Sequence, residues 1–163
     1  MSALTVPLPD SIPDTFLAYV AGFFDGEGTI AACIKFRVNR NSYGCVVQVA
    51  IGNTNKTVLE YIQGLTGLGN IREVQVKYPN AKIIYHWALT NQTDKLKFLK
   101  LILPFLKVKR LNAELAIKYF ESRIATGHLP SAHNPLTKGE LELIKRMRSI
   151  NGRRRKNSYE NLC

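Results

Sequence analysis

In the stretch AYVAGFFDGEG, residues 18–28, two carboxylates, Asp25 and Glu27, fall where an apolar helix should be ending. A carboxylate is favoured at a helix N-terminus and disfavoured at the C-terminus, where the macrodipole is negative. A hard divalent cation such as magnesium reverses that preference. It takes oxygen ligands from carboxylates and backbone carbonyls, and the last helical turn leaves carbonyls free. Gly26 and Gly28 let the backbone come close to a phosphate. Metal-assisted chemistry at a phosphate is what this spacing offers.

The elements that must position these groups follow from periodicity. Apolar residues run almost unbroken from Phe16 to Phe24, so this helix should be buried on most sides, with Asp14 as its N-cap. A mid-helix glycine costs about 1 kcal/mol relative to alanine, so Gly22, next to Ala21, implies close approach of a second backbone. After Gly28 the period drops to two. Ile30, Ala32, Ile34, Phe36 and Val38 share one face, and Ala31, Cys33, Lys35, Arg37 and Asn39 the other. A turn over Asn39–Gly44, which contains Arg40, leads to the strand CVVQVAIGN, with Cys45, Val47, Val49 and Ile51 inward and Gln48 outward. Thr54 should cap a helix carrying Val58, Leu59, Ile62 and Leu65, ended by Gly67 and Gly69. A second hairpin, NIREVQVKYPN and AKIIYHWALTN, should turn at Pro79-Asn80, and a helix from about 94 to 103 should break at Pro104. The next helix should turn Leu111, Leu115 and Phe120 inward. The order is α-β-β-α-β-β-α with a tail, an α+β fold with one four-stranded antiparallel sheet.

The composition bounds the partner. The chain has 163 residues, enough for one domain with a real core, and 45% of them are hydrophobic. Its formal net charge is +11 and its pI about 9.8, which favours a polyanion, nucleic acid before anionic membrane. The polar sheet face carries Lys35, Arg37, Gln48 and Arg72, joined by Gln75 and Lys77 if the third strand has a bulge, and by Lys82 and His86 from the fourth strand segment. A twisted ribbon of such side chains can enter the DNA major groove. The densest positive charge comes late, at Lys145, Arg146 and Arg148 in a short helix expected in LTKGELELIKRMRSI and at Arg153–Lys156 after it; it suits phosphate contacts rather than base readout. No Lys or Arg precedes Lys35, which fits neither a secretory signal nor a transit peptide. Cys33, Cys45 and Cys163 lack metal-site spacing and read as reduced thiols of an intracellular protein.

The longer string is specific. Val20, Ala21, Gly22, Phe23, Phe24, Asp25, Gly26, Glu27 and Gly28 fill the nine positions of the motif that names the LAGLIDADG homing endonucleases, with Val for the first Leu and Glu for the second Asp. The resemblance covers roughly residues 15–123. NTNKTVLEYIQGLTGLGNI is similar to the family's second helix and following strand, and LPFLKVKRLNAELAI to its lysine-bearing segment.

The resemblance implies a LAGLIDADG fold with a concave DNA-binding sheet, in one domain over 1–163: an arm at 1–13, a core at 14–123 and a basic helical extension at 124–163. It implies that Glu27 and the carbonyl of Gly26 bind magnesium or manganese, and that Lys109 is the active-site lysine. The family's water-organising polar residue near the end of the second strand aligns with Ile51, while Asn53 is the nearest polar candidate; Asn55 and Lys56 are the options for the basic side chain that follows. A single motif copy implies a homodimer whose motif helices meet through Val20, Ala21, Gly22, Phe24 and Asp25. The expected activity is site-specific double-strand cleavage of a long pseudo-palindromic DNA, leaving 3′ overhangs and promoting mobility of a group I intron, in an organelle or a bacterial cytoplasm. Asn39, Arg40 and Arg153–Arg155 join the expected DNA contacts. The alternative is a maturase or a non-cleaving nucleic-acid-binding protein of the same fold.

Overall fold

The structure, a computed structural model, describes residues 12–37, 42–74, 82–127 and 136–152, with the side chains of 35–37 and 42–43 outside that description. The order is α1 (Asp14–Glu27), β1 (Gly28–Arg37), β2 (Ser42–Asn53), α2 (Lys56–Thr66), β3 (Asn70–Val74), β4 (Ile84–Leu89), α3 (Gln92–Ile102), a 3-10 turn (Leu103–Phe105), α4 (Arg110–Ala125) and α5 (Lys138–Ile150). The expected α-β-β-α-β-β-α order is present, with α5 in place of the short tail helix.

The strands form one antiparallel sheet in the order β1-β2-β4-β3. Alternation by two set its faces as read. Cys45, Val47, Val49 and Ile51 are buried with Ile30, Ala32, Trp87 and Leu89 under the helices. On the other face, Arg72 pairs with His86 and lies in register with Gly52 through β4. Gln48 is exposed there, opposite Ala31. Trp87 anchors the hairpin from the core side: its Nε1 donates to the Leu68 carbonyl at 2.9 Å. Gly69, at φ 81°, passes so close to the indole that an added Cβ would meet Nε1 at 2.5 Å.

Several expectations change. Pro13, not Asp14, is the N-cap of α1, and no side chain caps it. Asn55, not Thr54, caps α2, its side chain accepting from the Val58 N–H. Leu111 is 43% exposed while Leu115 and Phe120 are buried. It occupies the first turn of α4, at the head of the open stripe that Glu114, Lys118 and Glu121 continue. The core does not stop at 123. α5 inserts Ile144 and Met147, both fully buried, and a buried Arg123–Glu140 ion pair at 3.4 Å joins α4 to α5. Glu140 also accepts from Ser122 Oγ and closes a capping box with Thr137, so its carboxylate has several partners in the interior. The helix α1 is less enclosed than its composition implied: Tyr19 is 49% exposed, and Ala18, Gly22, Gly26 and Glu27 lie open along one side. Cys33 and Cys45 are free thiols. No helix among the described residues is long and apolar enough to cross a membrane.

Candidate active site

α1 ends where β1 begins. Gly28 makes this junction possible: its N–H donates to the Phe24 carbonyl, and an added Cβ would meet Phe24 Cδ2 at 2.4 Å. The two acids that raised the chemical question have separate positions. Asp25 turns toward the chain just before α4. Its Oδ2 accepts the N–H groups of Lys107 and Val108 at 2.8 and 3.1 Å, and its Oδ1 that of Lys109 at 2.8 Å. Burial pushes the Asp25 carboxyl up, but these three backbone bonds and the Lys109 ammonium outweigh it and hold the group below its ordinary value. Asp25 therefore resolves its unfavourable place on α1 by holding the N–H groups of the segment that enters α4.

Glu27 makes no such bond and is exposed at the end of α1, whose last turn carries no basic residue. Lys109, the N-cap residue of α4, donates from Nζ to the backbone carbonyl of Asp25. The structure thus brings Glu27, Gly26 and Lys109 to one helix end, as the sequence implied. The donors are all oxygens, carboxylate and carbonyl, which suits magnesium or manganese rather than a softer metal. They are also few. Among the described residues no cluster of three His, Cys, Asp or Glu side chains stands at this helix end, and magnesium ordinarily takes one or two carboxylates and completes its shell with water and phosphate oxygens.

The other expected site residues divide. Ile51 is fully buried, which excludes it from contact with water. Asn53 lies two residues beyond the Gly28–Ile51 pair, near the helix end, but its Oδ1 accepts the Asn55 N–H at 2.8 Å. The Asn55 side chain caps α2, and Lys56 pairs with Glu60 at 2.8 Å. These side chains hold the strand-to-helix turn. On the open sheet face Gln48 and Arg72 are exposed and His86 is partly so, while Lys82 is exposed two residues ahead of β4 and outside the ladder. The backbones of Lys35 and Arg37 pair with Gly44 and Ser42 in the same ladder. Asn39, Arg40, Gln75, Lys77, the Pro79-Asn80 turn and Arg153–Arg155 lie outside the described residues.

The expected interface set needs correction. Val20, Ala21 and Phe24 are fully buried in their own protomer, and the carboxylate of Asp25 is engaged as described. Of the five, Gly22 alone is exposed, and a Cβ there would meet nothing within 4 Å. The open side of α1 is Ala18, Tyr19, Gly22 and Gly26.

Sequence reading missed one feature. A cleft of about 360 Å³ borders the junction, lined by Thr29, Lys109, Asn112 and Asn151 among others. Asn112 Nδ2 donates to Asn151 Oδ1 at 2.6 Å, and Asn151 Nδ2 donates to the Ile30 carbonyl at 2.9 Å. This chain of amides ties the end of α5, where the basic tail begins, to the strand that follows the candidate metal site. Nothing local in the sequence signals it, because Ile30 and Asn151 are 121 residues apart.

No family model matches the chain. It is 29% identical over 120 residues to the DNA endonuclease I-CreI of Chlamydomonas reinhardtii, a match spanning 72% of this chain and 66% of that protein. Its fold is similar to two solved structures, each 23% identical. One is the archaeal intron-encoded homing endonuclease I-Vdi141I complexed with DNA, with a TM-score of 0.65, covering 88% of this chain and 87% of that one. The other is the homing endonuclease I-CvuI in complex with its target in the presence of calcium, with a TM-score of 0.67, covering 90% and 89%.

Proposed function

This chain belongs to the single-motif LAGLIDADG homing endonuclease family, and from that premise we propose that it cuts double-stranded DNA at a specific site, as a homodimer, using magnesium or manganese. The observation that carries the reading is Glu27: an exposed carboxylate, without a hydrogen bond or ion pair among the described residues, at the C-terminal end of a helix whose neighbouring acid is fully engaged. A purely structural acid at that end would be expected to find a partner, as Asp25 does. The open side of α1 supports a two-fold arrangement, since its small residues would let two helices cross closely. I-Vdi141I and I-CvuI, which share the fold, were solved in complex with DNA, which supports DNA as the partner here.

In this reading Glu27 and the Gly26 carbonyl hold the divalent ions. When bound, such ions activate water for attack on phosphorus and stabilise the departing 3′ oxygen. Lys109 adds positive charge beside the scissile phosphate and, through its bond to the Asp25 carbonyl, keeps α1 and the start of α4 in fixed relation. Gln48, Arg72 and His86 face base edges. Two-fold symmetry implies a long pseudo-palindromic target, and the family premise adds 3′ overhangs, intron mobility and an organellar or bacterial setting.

The test uses DNA made by joining the two sequences that flank the reading frame, since a homing enzyme cuts the uninterrupted form of its own insertion site. Incubated with magnesium, the protein should make one double-strand break with 3′ overhangs, and chelation should stop it. Binding without nicking, or promotion of RNA splicing alone, would overturn the proposal.

A further inference from the structure

A second cleft, of about 430 Å³, opens away from the α1 junction, where β4 stops and β2 runs on. β2 pairs with β4 only over Val49–Asn53, so its earlier part has no strand on that edge among the described residues. The walls are largely apolar, from Val47, Tyr119 and Phe120, with Asn91, Cys45 and Lys95 completing the lining. Lys95 is unusual. A surface lysine lays its stem on apolar groups and keeps its ammonium in water. Lys95 is only 6% exposed, and among the described residues no ion pair or side-chain hydrogen bond holds its ammonium. Burial pulls its amine below the ordinary value; Cys45, whose thiol burial pushes up to about 12, supplies no negative charge at neutral pH.

The N-terminus of α3 borders the same cleft. Asn91 caps the helix, its Oδ1 accepting the Asp94 N–H at 2.7 Å, and so places the positive end of the helix dipole at the rim. The ammonium of a largely buried lysine and a helix N-terminus meeting over apolar walls form a site for an anion with an apolar body. A phosphate dianion would call for more than one cationic partner; one amine in an apolar cleft suits a monoanion.

We propose that this cleft binds a small carboxylate, its oxygens against Lys95 and the N-terminus of α3, its short hydrocarbon body against Val47, Tyr119 and Phe120. The proposal is independent of the nuclease reading, since no residue of the α1 junction lines the cleft. Isothermal titration of the full chain with hexanoate, hexanol and inorganic phosphate tests it, in the wild type and in Lys95→Met and Lys95→Gln. Melting curves show that the variants are folded, and removing an unpaired buried charge does not threaten the fold. Hexanoate should bind the wild type saturably, at a single site per chain. Both variants should weaken it about tenfold or more, the loss expected for a charge-assisted hydrogen bond. Hexanol and phosphate should each bind more weakly than hexanoate. Absence of saturable hexanoate binding, equal binding by the variants, or phosphate binding as tightly as hexanoate would overturn the proposal.

Discussion

At the end of α1 a single carboxylate fixes three successive backbone N–H groups more than 80 residues away, and a glycine is pressed against a phenyl ring. Across the open sheet face the exposed side chains of Gln48 and Arg72 have no hydrogen bond or ion pair among the described residues. The first region is over-determined by backbone contacts, so that a chemical group can be held in one place. The second leaves its side chains free on a regular ladder, so that they can meet a ligand and be exchanged without disturbing the fold. Chemistry needs the first kind of construction and recognition tolerates the second.

Substitutions should therefore separate the two regions. The largest expected effect is at Gly28. Gly28→Ala forces a Cβ into Phe24 and should cost about 1–3 kcal/mol, the usual penalty for overpacking, read as a lowered midpoint in urea unfolding. An unchanged midpoint would mean the junction is looser than described.

Next is assembly. A side chain at Gly22 meets nothing in its own protomer, so Gly22→Leu should leave the monomer's fold intact. It should weaken the proposed dimer about tenfold or more, if it costs the roughly 1–3 kcal/mol of an overpacked contact. Sedimentation of an undisturbed dimer would remove α1 from the interface, and a wild-type monomer both on and off DNA would reject the homodimer.

Asp25→Asn comes third. It removes charge from three backbone bonds and should cost about 1 kcal/mol at neutral pH. Because the folded group sits below its ordinary value of 3.8, its stabilisation is full above that value and fades as pH falls through the folded value. The gap between wild type and variant should therefore close in acid, below about pH 4. A gap that stays constant with pH would assign the effect to packing.

The smallest effects belong to the open face. Arg72→Ala should change preference at one base position per half-site by about 1 kcal/mol, with melting unchanged. Replacing Arg153, Arg154 and Arg155 together should weaken all sequences alike, each lost phosphate contact lowering the salt slope by about 1. A base-specific effect from the tail with none from Arg72 would put the DNA-facing surface in the wrong place.

The same contrast explains how much could be read in advance. The sheet was legible because a half-buried strand writes its burial into the chain: Cys45, Val47, Val49 and Ile51 alternate with polar or small residues, and the structure buries those four. The nine-residue motif pointed to Glu27 and Gly26, and the separate LPFLKVKRLNAELAI segment to Lys109, whose ammonium the structure places against the Asp25 carbonyl. The division of labour between Asp25 and Glu27 was only partly legible, because the partners of Asp25 lie at 107–109 and spacing carries no trace of them. The motif helix was misread at Val20, Ala21 and Phe24, since an apolar run does not say which side meets its own core. Leu111 was misplaced because it heads the open stripe of α4 that Glu114, Lys118 and Glu121 continue, and its apolar side chain suggests the opposite face. The role of α5 in the core rests on the Arg123–Glu140 pair, and charged residues in sequence look like surface.

Glu27 is set at the end of α1 without a hydrogen bond or ion pair among the described residues, free for chemistry. The direct measurement is to compare Glu27→Gln with the wild type in magnesium on one cognate DNA, following cleavage, DNA affinity and melting together. The variant should melt and bind DNA as the wild type does and make no cut. Cleavage at the wild-type rate would contradict a catalytic Glu27.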